Sequence, residues 1–408
     1  MIHLFKTVQA GFGFDFDIEL SPDQQVYCFI GKNGIGKTQL LENIAKSLFF
    51  IHSLFDHPSL NRPFSNYFGR ADIFNSLKDI VLKLPMGITV NDIEVKNKIQ
   101  YNWGCTTLEQ LATNVRPRMV MPQNWQLVCE KPIVFIGAKN RGFTKNIDPK
   151  KINILGDFNS RFAESILRTI AYINGDGLIN EEVANWFVSR VILNPKFIVS
   201  QQNKQNEVVT VLKLIEKLEP SLRLVTNNIN SNGVIESVTI NLTYGDGKLI
   251  FNGIPFDKLS TGFVSVIKIF QEIVAGYGGW SNLDDLSQVD GIVFIDEVEP
   301  HLHISWQTKI LQILREFFPL TTFYVSTHSP LVLAGLRSGE AYELYRNEKI
   351  IQAKLIENIE QYYLTDLVNE FFGVDINLQK LNNINPEQQK HAKELLLKLA
   401  GAIDYDGN

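Results

Sequence analysis

The sequence predicts an α/β fold on a mostly parallel sheet, and three observations carry that prediction. A continuous apolar run, Val26-Tyr27-Cys28-Phe29-Ile30, leads into a glycine-rich turn and then into helical apolar spacing over residues 39–48. Toward the other end, a helix over 262–276, a strand over 291–295, a helix over 303–318 and a strand over 322–326 alternate. Between these halves, residues 157–222 are mainly helical in pattern. Alternation of this kind implies parallel pairing, because parallel neighbours need a crossover element between them.

The remaining stretches are read in the same way. Residues 1–54 form an N-terminal half, and residues 55–130, rich in Asn and Pro, read as an irregular insertion. Lys131-Pro132-Ile133-Val134-Phe135-Ile136-Gly137 is a further buried strand that runs into a loop with Lys139 and Arg141. Residues 223–257 return to strand-like alternation and predict an antiparallel portion, with Asp246-Gly247 suited to a hairpin turn. Residues 250–335 form a second motif-bearing half, and 336–408 a tail ending in a helix near 386–400.

Composition narrows the functional classes. In 408 residues, 45% are hydrophobic and 20% charged, which suits a folded chain with a substantial core. A net charge of -5 provides no global basic field for nucleic acid, though a local patch stays open. Cys28, Cys105 and Cys129 form no CxxC pair, so neither a disulfide framework nor a zinc site is expected, and a cytoplasmic setting fits. The first residues lack the basic-then-apolar order of a signal peptide, and no run approaches membrane-spanning length.

The chemistry begins at Gly31-Lys32-Asn33-Gly34-Ile35-Gly36-Lys37-Thr38, which matches GxxxxGK[ST] between a strand and a helix. Glycines let backbone N–H groups wrap a phosphate chain, and the helix N-terminus adds favourable partial charge. Gly31, Asn33, Gly34, Ile35, Gly36, Lys37, Thr38 and Gln39 are the candidate phosphate-binding residues. Lys37 is expected on the β- and γ-phosphates and Thr38 on Mg2+. Ile292-Val293-Phe294-Ile295-Asp296-Glu297 is a buried strand carrying two acids at its carboxyl end, where ligands of parallel sheets sit. Asp296 is the candidate metal ligand, and Glu297 the candidate base for a water molecule.

Two further motifs follow. Leu259-Ser260-Thr261-Gly262 precedes a helix; Ser260 suits an anion-binding signature and equally a plain N-cap. Tyr324-Val325-Ser326-Thr327-His328-Ser329-Pro330 is a strand ending in a histidine. His301 and His303 have no third partner at metal-ligand spacing. Phe12, Phe14 and Phe16 read as one strand face rather than as a base-stacking group.

Together with Asp296-Glu297-Val298-Glu299-Pro300-His301-Leu302-His303, these motifs resemble the ABC-type AAA ATPases grouped with overcoming-lysogenization-defect and SMC/RecF-like proteins, which include ATPase subunits of bacterial anti-phage systems. The resemblance covers about residues 1–50, 130–140 and 250–335, and Val298 replaces the usual proline. It implies a P-loop NTPase of ABC-ATPase type, a single head with an inserted helical subdomain. It implies ATP and Mg2+ as ligands, and a homodimer or higher oligomer that sandwiches ATP. Ser260 and Gly262 would then act on the other copy's nucleotide, Glu297 and Lys37 would be catalytic, and His328 would contact the γ-phosphate. Gln123 and Gln126 are candidates for a glutamine loop. Too little chain follows Pro330 for a nuclease domain, so a separately encoded effector such as a nuclease is expected, with nucleic acid a possible further partner and no membrane. The alternatives are an ATP-stabilised scaffold or sensor with little turnover and a DNA-repair head. The latter would carry a long heptad insertion, and none is visible.

Overall fold

The computed structural model describes residues 2–8, 13–50, 87–90, 93–96, 131–139, 141, 158–173, 183–191, 204–224, 238–243, 246–281 and 283–373. The chain divides into two compact units, Met1–Glu360 and Gln361–Asn408. In the smaller unit the described part is one helix, Leu364–Phe372, which ends at Gly373 in the left-handed conformation (φ 66°) that glycine adopts without steric cost. The helix expected near 386–400 lies outside the described residues.

The larger unit is organised by a ten-stranded sheet. Its strands are β1 (Leu4–Val8), β2 (Asp15–Glu19), β3 (Val26–Ile30), β4 (Gly87–Val90), β5 (Ile93–Lys96), β6 (Ile133–Ile136), β10 (Ile292–Ile295), β11 (Thr322–Ser326), β12 (Ala341–Asn347) and β13 (Ile350–Leu355). They lie in the order β5-β4-β1-β2-β13-β12-β3-β11-β10-β6. From β12 to β6 every pairing is parallel, and the β12–β13, β2–β1, β1–β4 and β4–β5 pairings are antiparallel. The fold is therefore α/β, with a parallel core and a wing that is mostly antiparallel, its β13–β2 pairing being parallel. The 55–130 stretch, without periodicity in sequence, contributes the β4–β5 hairpin to that wing, and residues 341–355 of the expected tail join the main sheet.

The register of the core is set by an aromatic row. Phe135 stacks on Phe294 (5.7 Å between centroids), Phe294 on Tyr324 (5.1 Å) and Tyr324 on Tyr27 (5.1 Å). All three are directly paired cross-strand residues in β6–β10–β11–β3. Such pairs add contact energy that a one-residue slip would forfeit, since a slip turns each ring to the opposite face. Every side chain of β3, β6, β10 and β11 is buried, as continuous apolar runs in a parallel sheet require.

A second sheet, β7 (Val238–Thr243), β8 (Asp246–Phe251) and β9 (Ile254–Pro255), is antiparallel. The hairpin expected there forms, but two residues earlier than the Asp246-Gly247 turn: Thr243 pairs with Asp246, and Asp246-Gly247 begin β8. This register sets residue 240 opposite Leu249 and residue 238 opposite Phe251.

The helices are α1 (Lys37–Phe50), α2 (Phe158–Ile173), α3 (Val183–Val191), α4 (Gln205–Leu218), α5 (Thr261–Trp280), α6 (Ile304–Gln307), α7 (Ile310–Phe317) and α8 (Pro330–Leu333). α5 is buried almost all round, and packs on α2, α4 and β6. Its burial includes charges that are met in kind: Glu272 takes Arg168 at 3.5 Å and the Tyr172 hydroxyl at 3.4 Å. Beside α5, Glu207 takes Arg190 at 2.6 Å, and Gly278 leaves the room that carboxylate occupies. Gly276 permits the closest approach of α5 to the sheet, since a Cβ there would lie 2.4 Å from Val134 Cγ2. Gly276→Val should lower stability by about 2–3 kcal/mol through overpacking. Adding Val134→Ala should restore part of that loss in chemical denaturation.

Candidate functional site

Parallel pairing in one register brings the carboxyl ends of β3, β11, β10 and β6 to a single edge. There the segments starting at Gly31, Thr327, Asp296 and Gly137 lie side by side. The loop after β3 turns through Gly31, Gly34 and Gly36, with φ values of 150°, 76° and 106°. At Gly36 a side chain would also meet Ile351 Cδ1 at 2.9 Å and the Phe14 ring at 3.2 Å, so glycine is required twice over. Asn33 and Gly34 are exposed, Ile35, Thr38 and Gln39 half-buried, and Gly31, Gly36 and Lys37 buried.

Lys37 bends back onto its own loop, donating to the carbonyls of Gly31 at 2.7 Å and Lys32 at 3.3 Å. Burial lowers its pKa to about 8, against the opposing pull of Glu297, Asp296 and Glu299. An ammonium in this state has much to gain from an incoming phosphate.

Asp296 is the hub. Its carboxylate accepts from the Thr38 hydroxyl (3.0 Å to each oxygen) and from the Ser326 hydroxyl at 2.7 Å. The residues present fit Mg2+: neighbouring oxygens of an octahedral Mg2+ shell lie about 2.9 Å apart, given Mg–O distances of 2.0–2.1 Å. The Thr38–Asp296 pair is spaced like one edge of that octahedron.

Glu297 follows in the left-handed region (φ 47°), a costly conformation for a non-glycine residue. Two polar groups hold it there: its N–H donates to Ser326 Oγ at 2.7 Å, and its carbonyl accepts from Arg141 Nη2. Among the described residues its carboxylate makes no hydrogen bond, which leaves it free to take a proton from water. Arg141 is 1% exposed, and its Nη2 also donates to the Asp296 carbonyl at 3.0 Å. Among the described residues its Nε and Nη1 have no hydrogen-bond partner, and burial lowers its pKa to about 10, so it stays cationic at neutral pH.

His328 is half-buried, and its pKa is lowered by burial and then by Lys37, so a neutral imidazole faces the loop at pH 7. Glu299 accepts from the His328 N–H at 2.6 Å and from the Thr327 hydroxyl at 2.7 Å. Arg141, Ser326 and Glu299 thus shape the site, although the sequence assigns none of them a role. Only the short sequence distance of Ser326 and Glu299 from His328 and Glu297 hinted at them.

Ser260 and Gly262 stand apart. Ser260 is exposed and caps α5, accepting from the Phe263 N–H at 3.2 Å. Gly262 is buried against the backbone of His301, whose carbonyl oxygen would lie 2.3 Å from a Cβ at that position. Among the described residues, no hydrogen bond or ion pair joins Ser260 or Gly262 to residues 31–39. His303 is exposed and caps α6. Phe16 is in the core, whereas Phe14 is half-buried at the edge of the glycine loop with the Arg346 guanidinium 5.4 Å from its ring centroid. Phe12, Gln123 and Gln126 lie outside the described residues.

Residues 280–334 match the family described as "AAA domain, putative AbiEii toxin, Type IV TA system". The chain is 30% identical over 205 residues to a Septu protein PtuA of Bacillus mycoides (strain KBAB4), covering 43% of this chain and 28% of that one. It is 24% identical over 200 residues to a Septu protein PtuA of Bacillus thuringiensis, covering 47% and 48% of the two chains. Over 50 residues it is 52% identical to a retron Vc95 probable ATPase of Vibrio cholerae serotype O1 biovar El Tor, covering 12% and 10%. The chain thus spans less than half the length of these curated relatives. Among solved structures, an SMC head bound to the C-winged helix domain of ScpA is 12% identical, with 88% of this chain and 98% of that one covered and a TM-score of 0.42. In its motifs the chain is similar to ABC-type AAA ATPases. No helix among the described residues is long and apolar enough to cross a membrane.

The Lys37 environment has a pH signature. A bound polyphosphate raises the pKa of Lys37 from about 8. Affinity for a non-hydrolysable triphosphate should therefore be level below pH 8 and fall above it, by up to about tenfold per unit for one linked proton. Calorimetric titration between pH 7 and 9.5 should show this slope in the natural protein, and Lys37→Met should abolish it.

Proposed function

We propose that the protein binds ATP with Mg2+ in the 31–38 loop and hydrolyses it in an assembly of two or more copies. The observation that carries this reading is the convergence of Lys37, Thr38, Asp296, Glu297 and His328 at one sheet edge, with the Thr38 hydroxyl on the Asp296 carboxylate. In this reading the loop N–H groups and Lys37 hold the β- and γ-phosphates. Thr38 and Asp296 would hold Mg2+, which would supply positive charge against the phosphates. Glu297 takes a proton from water as its oxygen bonds to the γ-phosphorus, the bond to the bridging β–γ oxygen breaks, and ADP leaves with that electron pair. The neutral His328 donates a hydrogen bond to the γ-phosphate as charge shifts there.

Ser260 and Gly262 complete the nucleotide site of a second copy. The support is twofold: Ser260 is exposed at the N-terminus of the 20-residue helix α5, and within one chain it makes no bond to the glycine loop. Head engagement then governs a separate effector, in a prokaryotic anti-phage setting. The motivation is the similarity to Septu and retron ATPase proteins, together with the resemblance set out from sequence.

Glu297→Gln should lower ATP turnover by about a hundredfold to a thousandfold, the range for loss of a general base, while Mg-ATP is still retained on the protein. Negligible turnover in the natural protein would instead favour a nucleotide-stabilised scaffold. Ser260→Arg should leave nucleotide binding by single copies intact, yet remove ATP-dependent association in light scattering and most hydrolysis. Wild-type turnover in that variant would exclude the assignment to the second copy.

A further inference from the structure

Glu299 has no place in the phosphate-binding set, yet its carboxylate is bound at both oxygens. One accepts the His328 N–H at 2.6 Å, the other the Thr327 hydroxyl at 2.7 Å, and Thr327 Oγ1 in turn accepts the Ser329 N–H at 3.0 Å. Three consecutive residues of the histidine turn are thus gathered on one side chain. The N–H···O distance to His328 is short, as expected when the acceptor is charged.

The post to which the turn is tied is itself fixed. The Val298 N–H donates to the Ser326 carbonyl at 3.1 Å, and the Glu299 carbonyl accepts from Leu302 N–H at 2.9 Å. The Pro300 carbonyl accepts from the Ser265 hydroxyl on α5 at 3.2 Å, and the His301 carbonyl is pressed on Gly262. None of these contacts involves His328, so the restraint runs from Glu299 to the histidine turn. A carboxylate here also carries a cost: it adds a third acid near Lys37, in a site that must admit a polyphosphate. A clamp of this kind is explained by what it holds.

We infer that Glu299 is a positioning residue for His328: its carboxylate sets the backbone of the 327–329 turn, so that the imidazole meets the terminal phosphate of the nucleotide. The inference rests on the reading above, in which His328 contacts that phosphate. Glu299 acts only through the turn and makes no bond to the nucleotide itself.

The test is a double-mutant cycle on turnover, joined to a measurement that needs no turnover. Glu299→Ala should lower kcat about tenfold to a hundredfold, the range for a misplaced catalytic contact, with KM changed by less than about threefold. Glu299→Gln keeps one acceptor and an amide that the Thr327 hydroxyl can turn to meet, so it should recover most of that loss. Combining Glu299→Ala with His328→Ala should be no slower than His328→Ala alone, within about twofold, because groups acting as one unit are not additive. In calorimetry with Mg2+, Glu299→Ala and His328→Ala should reduce the preference for a non-hydrolysable ATP analogue over ADP by the same factor. Multiplicative losses in the double variant would overturn the inference, as would a wild-type ATP-over-ADP preference in Glu299→Ala where His328→Ala has lost it. Should Glu297→Gln and His328→Ala both leave turnover and that preference intact, the parent reading fails and this one with it. Where Glu299→Ala does not fold by circular dichroism, Glu299→Asp, which withdraws the charge by one methylene, takes its place in the same cycle.

Discussion

The register of four parallel strands is the constraint on which the rest depends. Phe135, Phe294, Tyr324 and Tyr27 stack across β6, β10, β11 and β3 as directly opposed residues. A slip by one position would break the row and move each ring to the other buried face of the sheet. With the row in place, the glycine loop, the two acids, the histidine turn and the Arg141 segment emerge at one edge. Aromatic packing in the core thus governs polar geometry at the rim.

That polar geometry is a balance of buried charge. Lys37 and Arg141 are taken out of water and both have lowered pKa values, while Asp296, Glu297 and Glu299 pull in the opposite direction. Among the described residues neither cation is matched by a direct ion pair: Lys37 rests on loop carbonyls and Arg141 on the carbonyls of Asp296 and Glu297. Desolvated cations held by neutral acceptors keep most of their field for an incoming anion. The strained backbone of Glu297 belongs to the same arrangement, since Arg141 and Ser326 hold a residue whose carboxylate makes no hydrogen bond among the described residues.

Much of the fold was legible along the chain. The buried runs at 26–30, 292–295 and 322–326 and the helix beginning at Thr261 follow from periodicity and length. The β4–β5 hairpin did not show, because short strands at the edge of an antiparallel wing carry little pattern. The hairpin turn lies two residues before Asp246-Gly247, because a two-residue shift keeps the same faces paired and the alternation along the strands cannot choose between the two registers.

The phosphate loop could be read from residues alone because its chemistry is local: glycines, a lysine and a threonine act within one turn of backbone, whatever surrounds them. The adjacent acids after an apolar strand were legible for the same reason. Strand order, and with it every contact between distant segments, arose only on folding. Arg141 reaches Asp296 across 155 positions and Thr38 reaches it across 258, so no spacing rule could join them. Glu299 shows this most clearly: in sequence it is an acid of the 296–303 motif with no role assigned, and its meeting with the histidine turn exists only because β10 and β11 are neighbours in the sheet.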